Sequence, residues 1–308
     1  MGVYLLLGDP QDPWCLGVRG ALGAGNNETR IIRNPLADPV YFAWHLDNRR
    51  SKSQLSWDGE PPLTDDEISG VFARGLAWID SINWEPDDLA YTLAETQAAL
   101  LAWLWSLPCP VVNRYPAAIW YQPRQPLLLW YPLLRRSGLP TLETIITNVP
   151  EEARALRARL VDAAVAGVVY EPLTSPARYM VTSAEEWNRL EMMQGVAPAC
   201  LPYPYGNVQT LCVVGDQVVW QGHPSLEAVR LGPALCRFAA AAGLAFVELS
   251  LAAVPSGVCV IAVEPFPRAE HFDEATRQRI VEGLARALTV EPEHNRPIAT
   301  GTATGGHA

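Results

Sequence analysis

The sequence predicts an α/β protein, mixed with α+β features, in which an open α/β unit is followed by a second α/β unit. Three observations carry this. An apolar run of strand length, Val3–Leu7, feeds a loop that begins at Gly8 and then a stretch with helical spacing, which is how an open parallel sheet begins. Strand-like runs then alternate with helical ones. The last helical segment, DEATRQRIVEGLARAL, has an apolar stripe on one side and charges on the other.

The chain has 308 residues, 49% of them hydrophobic and 18% charged, enough apolar material for a sizeable core. Domains run to roughly 100–200 residues. The expected division is an N-terminal domain over 1–114, a second over 115–290, and a disordered tail over 291–308, where Pro, Gly, Thr and Ala dominate. A formal net charge of -10 repels phosphate backbones, so no nucleic-acid partner is expected. There is one lysine, Lys52, so chemistry that needs a lysine elsewhere is excluded. No stretch of about 20 apolar residues is present for a membrane span. Neither a signal peptide nor a membrane partner is expected, and the expected location is cytoplasmic. The six cysteines show no CxxC or zinc-type spacing, and several lie in apolar runs, so buried free thiols are expected.

After the first strand, WCLGVRGALGAG reads as a helix with a glycine-rich stop. YFAWHLDN and SQLSWDG alternate apolar and polar residues, with Asp58-Gly59 as a hairpin turn signal, and EISGVFARG reads as a strand. Pro86 to Leu107 is the clearest helix, with Asp87 or Asp88 as its cap. PVVN is a short strand, YPAAIWYQPRQP a proline-rich loop, and LLLWYPLLRRSG a helix ending at Gly138. TIITN is a strand and PEEARALRARL a helix. AGVVYEPL is a strand with ARYMV as a hairpin partner, and SAEEWNRLEMM a helix with a capping box of Ser183 and Glu186. ACLPYPYG reads as a turn-rich connection, and TLCVVGDQVVWQG as a hairpin around Gly215-Asp216. A helix and strand in PALCRFAAAAGLAFVELSL, a last strand in GVCVIAVEPFP, and a helix capped by Asp273 complete the order.

That order resembles ATP-grasp ligases of the glutathione-synthetase and ribosomal-protein glutamate-ligase type. PVVNRYPA is similar to the segment that ends the family's first domain. LLRRSGLPTLETIITN is similar to the helix, Gly-Leu-Pro and strand that open its ATP-grasp half. LCVVGDQVV is similar to its central hairpin, and AAAAGLAFVELSL with VCVIAVEPFP to the two strands that close its metal site. The resemblance implies a pre-ATP-grasp-like N-terminal domain and a reduced ATP-grasp-like domain.

It also marks departures. Such a site neutralises a triphosphate and holds magnesium with carboxylates and an asparagine. The family's first lysine falls near Arg124, and its second falls at Tyr170. TSPAR stands where a glycine loop would cover the phosphates. The arginine before the hairpin corresponds to about Thr210 and the penultimate-strand aspartate to about Ser250. In the closing motif Glu264 is kept, but Phe266 replaces the metal-binding asparagine. A charge-assisted contact is worth about 1.5–3 kcal/mol, so several such losses cannot hide within a micromolar affinity near −8 kcal/mol.

No single catalytic residue stands out. The resemblance places Arg124, Tyr170, Glu171, Arg178, Glu248, Glu264 and His271 along the cleft, with Glu264 the candidate metal ligand. The leading expectation is a protein that uses no cofactor and binds a substrate or partner beside a peptide or small-molecule ligase. The alternative is an active ATP-dependent carboxylate–amine ligase using ATP and magnesium, with Arg124 and Glu264 in a remodelled site. Another enzyme class grafted on the same cleft is a third reading. A protein partner, a homodimer, and a peptide or small-molecule ligand are all compatible with the leading one. Nine of the eleven tryptophans precede residue 131, as core or as an aromatic docking surface, and Trp103 and Trp105 cannot share one helical face. His271 reads as lining the cleft or as a solvated loop residue.

Overall fold

The computed structural model describes residues 2–37, 39–48, 51–57, 59–74, 84–121, 127–162, 168–171, 179–194, 198–202, 207–254 and 257–289. The first strand, β1 (Val3–Leu7), is buried at all five positions, as a strand covered on both faces must be. Helix α1 (Pro13–Ala24) follows, with proline at its first position and Asp12 as its cap. One Asp12 carboxylate oxygen accepts the N–H groups of Trp14 and Cys15 at 2.9 and 3.0 Å. The chain returns through β2 (Glu28–Ile32), parallel to β1, a strand whose polar first half conceals it from a search for apolar runs.

Strands β3 (Tyr41–Leu46), β4 (Ser51–Ser56) and β5 (Leu63–Thr64) form a separate antiparallel sheet. β3 and β4 pair antiparallel, and the glycine singled out earlier, Gly59, has φ +80 and lies between β4 and β5. Its neighbour Asp58 lies outside the described residues. Then come β6 (Ile68–Ala73), parallel to β1, helix α2 (Pro86–Ser106) and β7 (Val111–Val112), parallel to β6. The cap position of α2 is Glu85, and Asp87 and Asp88 sit inside the first turn, where they face the positive end of the helix dipole. The parallel sheet runs β2-β1-β6-β7, so the strand order reverses between β1 and β6.

The segment expected as a proline-rich loop contains a short helix, α3 (Ala117–Tyr121), before α4 (Leu127–Arg136). A small layer follows, with β8 (Thr144–Thr147), α5 (Pro150–Asp162), β9 (Val168–Tyr170), β10 (Tyr179–Val181), α6 (Ala184–Gln194) and β11 (Ala199–Pro202). β9 and β10 form the expected hairpin, whereas ACLP, expected in a connection, is the strand β11 paired with β8. This layer has its own core around Leu156, Leu160, Val168, Trp187 and Leu201. The capping box closes as expected: Glu186 accepts the N–H of Ser183 at 2.9 Å, and Ser183 accepts that of Glu186 at 3.2 Å.

The last sheet runs β13-β12-β14-β15 and is antiparallel throughout. It comprises β12 (Val208–Val214), β13 (Gln217–Trp220), β14 (Phe246–Val254) and β15 (Gly257–Glu264). Helices α7 (Leu226–Arg230) and α8 (Gly232–Ala241) connect β13 to β14. Helix α9 (Glu274–Thr289) closes the described chain, and Asp273 caps it by accepting the Thr276 N–H at 2.7 Å. Tyr4, Leu6 and Trp14 share one buried cluster with Cys212, Phe246 and Ile280, so the N-terminal layer and the last sheet pack together. All six cysteines are free thiols and five are buried. Trp103 is buried while Trp105 is 58% exposed, as their spacing on α2 requires. The expected tail, 291–308, lies outside the described residues.

Candidate functional site

The carboxyl ends of β1 and β6 meet the segment that follows β15. Two contacts fix this meeting, and a third ties the end of β7 to the start of β14. The Trp14 indole N–H donates to the Pro267 carbonyl at 2.9 Å. The Tyr115 ring stacks on Phe266 with centroids 4.7 Å apart, while its hydroxyl donates to the Ala73 carbonyl at 3.2 Å. The Asn113 side chain closes a two-way pair with the backbone of Phe246, at 2.6 and 2.7 Å. Tyr115 is fully buried, and that burial pushes its hydroxyl pKa up to about 12.

On the last sheet, Glu248 of β14 and Glu264 of β15 stand directly opposite each other in register. Like charges so placed repel, and the surroundings answer that for Glu248. It is 3% exposed, one of its oxygens lies 2.5 Å from Nδ1 of His271, and the other accepts the Arg268 N–H at 2.9 Å. Glu264 accepts the Phe266 N–H at 3.1 Å. Ser250, two residues along β14 and on the same side as Glu248, is half-buried opposite Ala262.

On the N-terminal side, Arg74 directly follows β6 and Asp12 caps α1. Nε and one Nη of Arg74 both donate to the second Asp12 oxygen at 3.2 Å, and the two side chains are 11% and 17% exposed. Gly8 makes room for this pair, because a Cβ there would lie 3.0 Å from the Arg74 Cβ and 3.1 Å from the Cys15 sulfur. Burial first, then Asp12, pushes the Cys15 thiol up to about 12, so it stays protonated and unreactive.

The structure therefore brings together Glu248, Glu264 and His271 from the expected cleft set. His271 is half-buried and bonded to Glu248, which corrects the reading of it as a solvated loop residue. Tyr170 ends β9 and stacks on Tyr179 at 6.1 Å, and the Glu171 N–H donates to the Cys200 carbonyl at 3.0 Å. Arg124 and Arg178 lie outside the described residues. Sequence reasoning missed Asp12, Arg74 and Tyr115. The DP pair before α1 signals the Asp12 cap, but nothing local marks Arg74 or Tyr115, which are placed by strand order and by the stack on Phe266.

These residues do not fit a magnesium-bound triphosphate. Phe266 carries no donor atom and its ring is engaged by Tyr115. Glu248, the carboxylate added beside Glu264, already takes His271 and a backbone N–H. Among the described residues no group of three or more His, Cys, Asp and Glu converges as a metal would need. No helix among them is long and apolar enough to cross a membrane.

No family model matches the chain, and no curated protein does. Solved structures do. The macrocyclase MdnC of Microcystis aeruginosa, bound with the precursor peptide MdnA, superposes with a TM-score of 0.72 at 16% identity, over 94% of this chain and 100% of that one. A RiPP-associated ATP-grasp ligase of Chryseobacterium gregarium, in complex with ADP and a leader and core peptide, gives 0.68 at 13% identity, over 94% and 96%. The ATP-grasp ligase PsnB, with a phosphomimetic variant of its minimal precursor, magnesium and ADP, gives 0.68 at 21% identity, over 94% and 98%. At these identities the likeness speaks for the architecture, and on that architecture the chain has the ATP-grasp fold.

Proposed function

We propose that this chain binds a peptide and acts as a non-catalytic, substrate- or partner-binding subunit in a peptide-ligase pathway, with the nucleotide site of its fold given up. The observation that carries the reading is the Tyr115–Phe266 stack beside a Glu248 already bonded to His271. On this reading an aromatic ring and a carboxylate with partners of its own take the place that the resemblance gives to open metal donors. Tyr170, which the resemblance sets where the family has a lysine, is stacked on Tyr179, and this supports the reading. The peptide half of the proposal is supported by the neighbours, which hold precursor peptides. The division into domains at 114/115 and a cytoplasmic location belong to the same proposal.

One observation favours the alternative, an active carboxylate–amine ligase: Glu248 and Glu264 face each other and offer a second carboxylate near the position of Ser250. The two readings separate in a peptide-display selection against the whole chain, with and without Mg-ATP. The leading reading expects enriched peptides whose binding ignores the nucleotide and no phosphate release with any of them. Nucleotide-dependent enrichment or peptide-stimulated phosphate release would establish the alternative.

A further inference from the structure

The last sheet ends on an open strand. Among the described residues β13 pairs with β12 on one side and with no strand on the other. The register shows which of its backbone groups face outward. The Gln221 N–H donates to the Thr210 carbonyl at 2.9 Å, so the alternate residues Val219 and Gln217 also turn their backbone groups to β12. Val218 and Trp220 turn theirs away. Arg279 confirms this at Trp220, where it donates to the outward carbonyl at 3.0 Å and to the Thr276 hydroxyl at 3.0 Å. The N–H and C=O of Val218 meet no such partner among the described residues.

Beside this edge lies a cavity of about 460 Å³, lined by Gln217, Val218 and Val219 of β13 and by Arg279, Glu282 and Arg286 of α9. Glu282 takes the Gln278 side-chain amide at 3.0 Å. Arg286, exposed in the last turn of α9, makes no hydrogen bond or ion pair among the described residues. The pleat relates the open edge to this cavity. Val219 packs with Ile280 and Leu284 on the α9 face of the sheet, and Val218 packs on the opposite, α8 face. An added strand with one residue opposite Val218 therefore sends that residue's side chain to the α8 face and those of its two neighbours to the α9 face, at the cavity. A lone anion would leave the Val218 N–H and C=O unmet. A peptide backbone supplies an acceptor and a donor to them at once. We propose that β13 takes an extended acidic peptide as an added strand, and that a carboxylate next to the residue paired with Val218 is held by Arg286, with Arg279 beside it. This site lies apart from the cleft and does not depend on the reading proposed there.

The test uses a capped pentapeptide with glutamate at its centre, flanked on each side by threonine and then valine, and two twins. One twin carries lysine in place of the glutamate. The other keeps the glutamate and is N-methylated at both threonines, which removes the donor for the Val218 carbonyl. Each is titrated at low ionic strength into the whole chain, with amide chemical shifts as the readout. The glutamate peptide should shift Gln217–Trp220 and the last turns of α9, and should bind about tenfold more tightly than the lysine twin, the worth of one charge-assisted contact. N-methylation should weaken it several-fold. Arg286→Gln, at an exposed side chain with no partner to lose, should abolish most of the preference for glutamate and leave the melting midpoint where it was. Equal affinity for the glutamate and lysine peptides would overturn the proposal, as would an N-methylated twin that binds as well as its parent, or shifts centred away from β13. Absence of binding would also overturn it and leave the two arginines as guards against edge pairing. So would a concentration-dependent dimer through β13 that excludes the peptide, which would make a second copy the occupant. None of these results bears on the cleft.

Discussion

Two regions of the molecule are built on opposite terms. The seam between the N-terminal sheet and β12–β15 is closed by Trp14, which is 1% exposed, meets Phe246 and Phe272 edge-on at 5.5 and 6.1 Å, and bonds to Pro267. The small layer of β8–β11 has strands of three or four residues, against seven to nine in β12, β14 and β15, and a separate core. It also leaves Ile146, Tyr179 and Met180 about half exposed. The seam positions side chains to within a hydrogen bond. A layer with a small core of its own is expected to open as a separate, weaker unit. Charged groups also differ in setting: at the seam Glu248, His271, Arg74 and Asp12 are mostly buried, whereas in the layer Arg154 bridges Glu151 and Glu191 at the surface.

The largest expected effects break this contrast directly. Trp14→Ala should cost about 3–5 kcal/mol and lower the midpoint of the whole chain in denaturant. Trp187→Ala should cost a similar amount locally, visible as faster amide exchange in α5, α6 and β8–β11 with β12–β15 still protected. Equal loss of protection in both regions would show that they are one unit. Next in size, Glu248→Ala leaves the Arg268 N–H and His271 Nδ1 without their acceptor and should cost about 1–3 kcal/mol, while Glu248→Gln, which keeps an acceptor, should cost clearly less in the same melt.

The smallest effect concerns pH. The N–H groups of Ser183 and then Thr182 hold the exposed Glu186 carboxyl at about 2, below its ordinary 4.5. A depressed carboxylate contributes stability that is complete above its unfolded value and disappears as pH falls through the folded one. Amides at the start of α6 should therefore lose protection between pH 4.5 and 2, and Glu186→Gln should make them indifferent to pH over that window.

The parts of this fold that were legible in the sequence are those with local causes. The capping box at Ser183, the Asp273 cap and the Gly215 turn depend on residues a few positions apart, and each forms as its pattern implies. β2 and β11 were missed because their partners, β1 and β8, are supplied by strand pairing, which leaves little mark on a short polar or proline-flanked run. The same holds for the site. Glu264 and Glu248 could be placed on the cleft by resemblance, but the pairing of Glu248 with His271, 23 residues on, and of Arg74 with Asp12, 62 residues back, exists only once the sheets are assembled. Charge counted along the chain could foresee missing lysines; it could not foresee which carboxylates would find internal partners.

The central proposal is that this cleft has given up the nucleotide site of its fold. Calorimetric titration of the whole chain with Mg-ATP tests it most directly. The account predicts no heat assignable to a site with a Kd below about 1 mM, an affinity near −4 kcal/mol. A one-to-one isotherm in the micromolar range, abolished by Glu264→Ala, would contradict it.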